Sequence, residues 1–424
     1  MWQLSEKLLQ FIWQFRRYNL QGLQTDDGQD LVIIHPGKVN THQGPDFSEA
    51  KIKIDNTTWI GNVEIHLKSS HWHSHAHTND VHYNNIILHV VWENDTPIYD
   101  KSGNAIPTLV LQHLVSKIMM THYQKLMEQK HDIPCGECLP ALSDLSWLAW
   151  KERMAAERLT AKATICIAYF NQAQQHWEDT CWWFIARSFG MKTNALPFEQ
   201  MARTLPVTLL YKHKNQLHQL EALLMGQCRL LEGNFTDDYA VMLQKEYRFL
   251  AIKYGLKPIA KPALFLRMRP ANFPTIRLAQ LAALIHQSVH LFSKIKDAEN
   301  PTAIEKLLNV SANDYWHYHY KFDEATPFKE KTTGHQLLEH IIINAAAPLL
   351  YAYGMYQSDD HYKQKAMQWL LQTKPEVNTI TKQWAAKKIS IKNALESQAL
   401  IHLFNQYCHE KKCLSCAVGM KILQ

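Results

Sequence analysis

The sequence predicts an α+β or α/β N-terminal unit, a mixed sheet with flanking helices, followed by a mostly α-helical domain. Three observations carry this reading. Short apolar runs with strand-like alternation crowd the first 115 residues. Beyond Val115 the apolar residues recur at helical spacing instead. With 46% apolar and 20% charged residues, the 424-residue chain can bury a sizeable core and does not have the composition of a disordered one.

Taken in order, residues 2–18 place Leu4, Leu8, Leu9, Ile12, Trp13 and Phe15 on one face of an amphipathic helix. Asp26-Asp27-Gly28 is a turn, and LVIIHPG is a short strand stopped by Pro36-Gly37. Ala50, Ile52 and Ile54 alternate with lysines in a half-buried strand, and Asp55-Asn56 turns the chain into WIGNVEIHL. Asn85 to Trp92 is nearly all apolar, as expected of a central strand buried on both faces, and AIPTLVL adds another. The expected N-terminal unit is therefore one helix and about five strands over residues 1–115.

Residues 116–424 are expected to be mostly helical, with a C-terminal cysteine segment at 408–416. Gly190, Gly226 and Gly255 fall where helix C-caps are expected, and Pro258, Pro262, Pro270 and Pro274 punctuate one connection. No fixed repeat is present, which argues against a solenoid.

The net charge of +6 permits a polyanionic partner without demanding one. The N-terminal helix carries Glu6, Lys7, Arg16 and Arg17, unlike a secretory signal, and no long uncharged apolar window predicts a membrane span. In a chain without a secretion signal, its eight cysteines are expected to be reduced thiols or metal ligands, and a cytoplasmic location is expected.

The polar residues of the N-terminal unit carry the chemistry. Hydrolysing a phosphodiester calls for a divalent metal that activates a water and neutralises charge, and hard cations prefer carboxylate oxygens. Glu6 sits on the first helix, Asp46 enters a strand, and Glu64, His66 and Lys68 share one face of the next by two-residue periodicity. The bland alternative is that Asp46 caps a turn and Glu64 pairs with Lys68.

These residues resemble the PD-(D/E)XK nuclease superfamily, with Pro45-Asp46 as the first part of its motif and Glu64 as the second. The resemblance implies a restriction-endonuclease-like core cleaving DNA or RNA with Mg or Mn. Asp46 and Glu64 would hold the metal, His66 or Lys68 would act as electrophile, and Glu6 would orient a water. The motif lysine is absent, because the position two after Glu64 is His66. That departure keeps a catalytically inactive nucleic-acid- or protein-binding module in view. The whole chain also resembles an uncharacterised family typical of Bacteroidetes, a domain of unknown function, through GPDF, GNVEIHLKSSHWHSHAH, ILHVVW, RMRPANFPTIRLAQLA and YCHEKKCLSCAVG.

Seven of the 24 histidines fall between His66 and His89. His71, His73, His75 and His77 alternate, followed by Asp80 and His82, either as strand residues chelating a transition metal or as a polar loop over the sheet edge. In the resembled family the position of His71 is often Asp, which makes His75, His77 and Asp80 the informative members. A zinc-dependent hydrolase using this cluster is a third reading.

Cys408, Cys413 and Cys416, with Cys135 or Cys138 as a fourth ligand, match the needs of a zinc or iron–sulfur site; the alternative is ordinary buried thiols. Arg267, Arg269 and Arg277 either grip nucleic-acid phosphates or make structural ion pairs. The aromatic run YWHYHYKF is expected to be packing.

Overall fold

A computed structural model describes residues 4–40, 43–129, 131–137, 139, 142–265 and 269–423. The chain divides into two compact units, one formed by Met1–Ser146 with Phe404–Gln424 and the other by Trp147–Leu403. The division falls after Ser146, where the sequence reading draws it after residue 115, and the C-terminal segment belongs with the N-terminal unit.

The first unit opens with helix α1 (Glu6–Gln14), whose Ser5 cap accepts the Leu8 N–H at 3.3 Å. Leu8, Leu9, Ile12 and Trp13 are fully buried, so the helix is fixed by its apolar stripe, and Glu6 and Gln10 follow one another at the i, i+4 spacing of a single face. Six strands follow: β1 (Leu31–His35), β2 (Lys38–Val39), β3 (Phe47–Ile54), β4 (Thr57–Lys68), β5 (Ile86–Glu93) and β6 (Thr108–Val110). Five match the expected strands. The two-residue β2 is too short to leave a periodic signal.

The main path of the sheet runs β1-β3-β4-β5-β6, with β2 on β3. The pairs β1/β3 and β3/β4 are antiparallel, whereas β4/β5 and β5/β6 are parallel. Antiparallel strands can be joined by tight turns such as Asp55-Asn56, but a parallel pair requires a crossover. The β4–β5 crossover is the histidine-rich segment. It is neither a strand nor a plain loop: α2 (His71–Ser74) is one helical turn, Ala76 turns left-handed at φ 58°, and 3₁₀ turns follow at His77–Asn79 and Val81–Tyr83. Trp72 anchors it, 1% exposed against Ile98 and Ile106, with its Nε1 donating to Thr78 Oγ1 at 3.0 Å.

A register shift interrupts β3/β4 between Phe47 and Ala50, where Glu49 takes φ 55°. This bulge sits beside Asp46 and sets the angle at which the carboxylate enters the sheet.

The second unit is built from helices, with one two-stranded ribbon at His319–Lys321 and Glu324–Ala325. Gly190 and Gly255 do cap helices. Gly226 instead lies inside helix Leu217–Gln227, because a Cβ there would stand 2.2 Å from the Tyr247 ring and only glycine fits. Helices Pro274–Gln287 and Leu291–Asp297 are separated at Ser288–His290, with His290 left-handed at φ 56°. Trp316 of the aromatic run is fully buried. Among the described residues no helix is long and apolar enough to cross a membrane.

Candidate functional site

Glu64 and His66 project from one face of β4 by strand alternation, and the parallel register sets His89 of β5 directly opposite Glu64. The crossover then folds back over this face and brings His75 and His77 onto it. One ring nitrogen from each of His66, His75 and His77 lies within 4.8 Å of one from each of the others, which qualifies the trio as metal-competent. Glu64 Oε1 stands 3.5 Å from His66 Nε2 and 3.4 Å from His77 Nε2.

Asp46 is beside this group but outside the trio. Its backbone N–H donates to Glu64 Oε2 at 3.0 Å, and its own carboxylate accepts from Gln10 Nε2 at 2.8 Å and from the Ile65 N–H at 3.2 Å. Glu6, on the same face of α1 as Gln10, stands 3.6 Å from His71 Nδ1. The arrangement therefore gathers Glu6, Asp46, Glu64, His66, His75 and His77. Glu64 reaches Asp46 with one oxygen and the imidazoles with the other.

Burial sets the protonation states. His66 is pushed down to about 2, first by burial and then by the neighbouring His89, His77, His75 and His71. His89 is pushed down to about 3 by burial, with His77 adding to it. Although His66 is within ion-pair distance of Glu64, desolvation outweighs that attraction and the ring is neutral, the form that ligates metal. Asp46 is pushed up to about 7 by burial and then by the Glu64 charge, against the pull of its bonds from Gln10 and Ile65; Glu6 adds a smaller push.

Two further contacts bear on a cation. His66 Nδ1 and His89 Nε2 are 2.8 Å apart, so a His66 that offers Nε2 outward donates its Nδ1 hydrogen to His89. His66 Nε2 and His75 Nδ1 are 3.1 Å apart and share a hydrogen that a cation replaces. His77 is held by its ring, stacked on Tyr83 at 3.9 Å and edge-on to Trp72 at 5.3 Å. Its Nε2 is buried and makes no hydrogen bond. A buried polar nitrogen without a partner costs about 1–3 kcal/mol, a cost that a cation removes. His75 is exposed and His71 and Glu6 are half-exposed, so the site is reached from solvent on that side.

Other expected residues stand elsewhere. Lys68, at the end of β4, pairs with Glu93 at 3.4 Å and Asp95 at 4.0 Å, which corrects the expected pairing with Glu64. Asp80 accepts from the His82 N–H at 2.9 Å and caps a 3₁₀ turn, so its carboxylate is spent on the backbone. Arg277 is buried, bonded to Gln280 and Asn272 at 2.9 and 2.5 Å, and is not available to a phosphate. Arg269 is exposed; Arg267 lies outside the described residues. Cys135, Cys408, Cys413 and Cys416 are all buried cysteines of the first unit that form no disulfide, and Cys138 lies outside the described residues. Sequence reasoning missed Gln10, whose signal is its i+4 spacing from Glu6, and His89, the lone polar residue in an apolar strand.

Fold and site together define a mixed α/β protein with a helical second unit and a buried carboxylate–imidazole cluster on its sheet. Residues 6–379 match the family described as a protein of unknown function, DUF2851, and the chain belongs to that family. No curated protein and no solved structure matches it.

Proposed function

We propose that this protein is a metal-dependent phosphodiesterase acting on DNA or RNA. The metal would be held by Glu64 with His66, His75 and His77, and Asp46 would stand beside it. The carrying observation is the convergence of Glu64 Oε1 on two imidazole nitrogens within a trio of mutually close histidines. The donor set is rich in nitrogen, which favours a transition metal such as zinc or manganese over magnesium. A divalent cation there supplies positive charge against a phosphate and lowers the pKa of a water. Asp46, half-neutralised by its burial, is placed to take a proton, while Gln10 and the Ile65 N–H fix its orientation. His89 holds the His66 ring.

The phosphodiester substrate class rests on the order of elements. We read the helix with Glu6, the antiparallel strands with Asp46 at the entry of one and Glu64 on the other, and the crossover to a parallel strand as the element order of a restriction-endonuclease-like core. Incubating the purified protein with single- and double-stranded DNA and RNA in Mn²⁺, Zn²⁺ or Mg²⁺ tests the reading. Cleavage is expected, and Glu64→Gln should lower it by at least about a hundredfold with the fold intact. A protein inert on every combination, whose metal affinity Glu64→Gln does not change, overturns it.

One observation favours a second reading. Lys68, the lysine two residues beyond His66, is tied to Glu93 and Asp95, as expected of a non-catalytic nucleic-acid-binding module. Nucleic-acid binding that survives Asp46→Ala with Glu64→Gln, in a protein without turnover, selects that reading.

A further inference from the structure

The C-terminal segment is a tight wrap around three sulfurs. The π turn Phe404–Cys408 leads through Lys411, left-handed at φ 50°, to the 3₁₀ turn Cys413–Ser415 and the helix Ala417–Ile422. The Lys411 N–H donates to the Cys408 carbonyl at 3.0 Å and the Cys416 N–H to the Cys413 carbonyl at 3.3 Å. Gly419 lies so close that a Cβ would stand 2.1 Å from the Cys413 carbonyl oxygen. Burial pushes the Cys416 thiol up, against the pull of the Gly419 and Val418 backbone N–H groups.

The fourth sulfur comes from the other end of the same unit. Helix α3 (Lys117–Glu128) precedes the turn Ile133–Gly136 that carries Cys135. Lys411 Nζ donates to the Met127 carbonyl, and His122 Nδ1 is 3.2 Å from the Ile422 carbonyl. These two contacts hold the C-terminal wrap against α3, whose end leads into the turn that carries Cys135. Each of the four cysteines is 7% exposed.

We propose that Cys135, Cys408, Cys413 and Cys416 form a tetrathiolate site for a thiophilic metal centre, zinc or an iron–sulfur cluster, that ties the C-terminal segment to the end of α3. Four buried sulfurs brought together from opposite ends of the unit meet the ligand count of such centres. Metal binding then contributes directly to holding this unit together. Among the described residues, only the histidine trio has donors all within 4.8 Å of one another. A single zinc, whose ligand sulfurs stand about 3.8 Å apart, would have to draw the sulfurs inward, whereas a cluster would be bracketed by a wider set. The site shares no residue with the histidine cluster and does not depend on the proposed activity.

The test is metal analysis of the full chain purified without oxygen, with X-ray absorption at the bound metal. About one sulfur-ligated centre per chain is expected, separate from any metal on the histidine trio, with a metal–sulfur shell near 2.3 Å. Zinc without visible absorbance identifies the mononuclear form, and iron with sulfide and visible absorbance identifies the cluster. Cys413→Ser with Cys416→Ser should reduce that metal to near zero, and His75→Ala with His77→Ala should leave it in place. Should the cysteine variant not fold, titrating the wild type with an organomercurial gives the same answer, because thiolate-bound metal is released as thiols are modified. Absence of a sulfur shell, or no metal released by the mercurial, overturns the proposal.

Discussion

Glu221 offers a quantitative check on the helical unit. It lies wholly buried on helix Leu217–Gln227, where its Oε2 accepts from Tyr239 Oη at 2.7 Å and from Trp316 Nε1 at 3.0 Å, while its Oε1 has no partner. Burial pushes the carboxyl from its ordinary 4.5 up to about 7, even though both hydrogen bonds pull it down. The folded pKa of an acid is here above the unfolded one, so the folded state holds its proton longer. The linked stability is fully present below pH 4.5, falls as pH rises between 4.5 and about 7, and is lost above that. The difference corresponds to about 3 kcal/mol. Glu221→Gln keeps an acceptor oxygen for both donors and removes the titration. Urea unfolding followed by tryptophan fluorescence at pH 4.5 and pH 8 should therefore show the variant gaining about 3 kcal/mol on the wild type between the two. With a slope of about 3 kcal/mol per molar urea, that is a change of about 1 M in the gap between midpoints. An equal gap at both pH values refutes the argument, because it means that Glu221 has the same proton occupancy folded and unfolded.

Three further outcomes follow from the contacts. His89→Phe removes the acceptor that orients His66 in an otherwise apolar strand, so metal affinity measured by competition with a chelator should fall about 10- to 100-fold with the fold retained. Lys68→Ala breaks only half-exposed ion pairs to Glu93 and Asp95; urea unfolding should move by less than about 1 kcal/mol and any cleavage should be unchanged, whereas a large loss of cleavage returns the lysine to the chemistry. Gly226→Ala adds about 1 kcal/mol of helix propensity but drives a Cβ into the Tyr247 ring at 2.2 Å, and a net loss of about 1–2 kcal/mol is expected in thermal or urea unfolding.

How far the sequence could be read depended on the range of the forces involved. The strands and most helices are fixed by local periodicity, so Ile52, Ile54, Val63 and Ile65 are as buried as their alternation predicts. The pairing of Glu64 with His66 on one face follows from the same rule. The crossover was illegible because alternating histidines fit a strand equally well. What anchors it is Trp72 packing with Ile98 and Ile106 of the β5–β6 connection, a contact that no local window contains. Lys68 keeps the parity of Glu64 but lies two strand repeats further on, beside Asp95. Arg277 reads as basic surface until Asn272 and Gln280 are seen to enclose it.

The placement of charge on the sheet is itself an argument for a ligand. Glu64, His66, His77 and His89 are each less than 9% exposed, on a surface where apolar side chains would pack at lower cost. Two ring nitrogens there, His77 Nε2 and His89 Nδ1, have no hydrogen-bond partner. A group placed only for stability would have its donors and acceptors matched within the protein, as Trp72 is matched by Thr78 and Ser69 by Asp95 in the same crossover region. Of the two unmatched nitrogens, His77 Nε2 is the one that faces Glu64 Oε1, at 3.4 Å, in the same trio as the exposed His75. A cation bound there as proposed would supply the missing partner, and adding the correct metal should then stabilise the first unit by an amount that grows with its concentration.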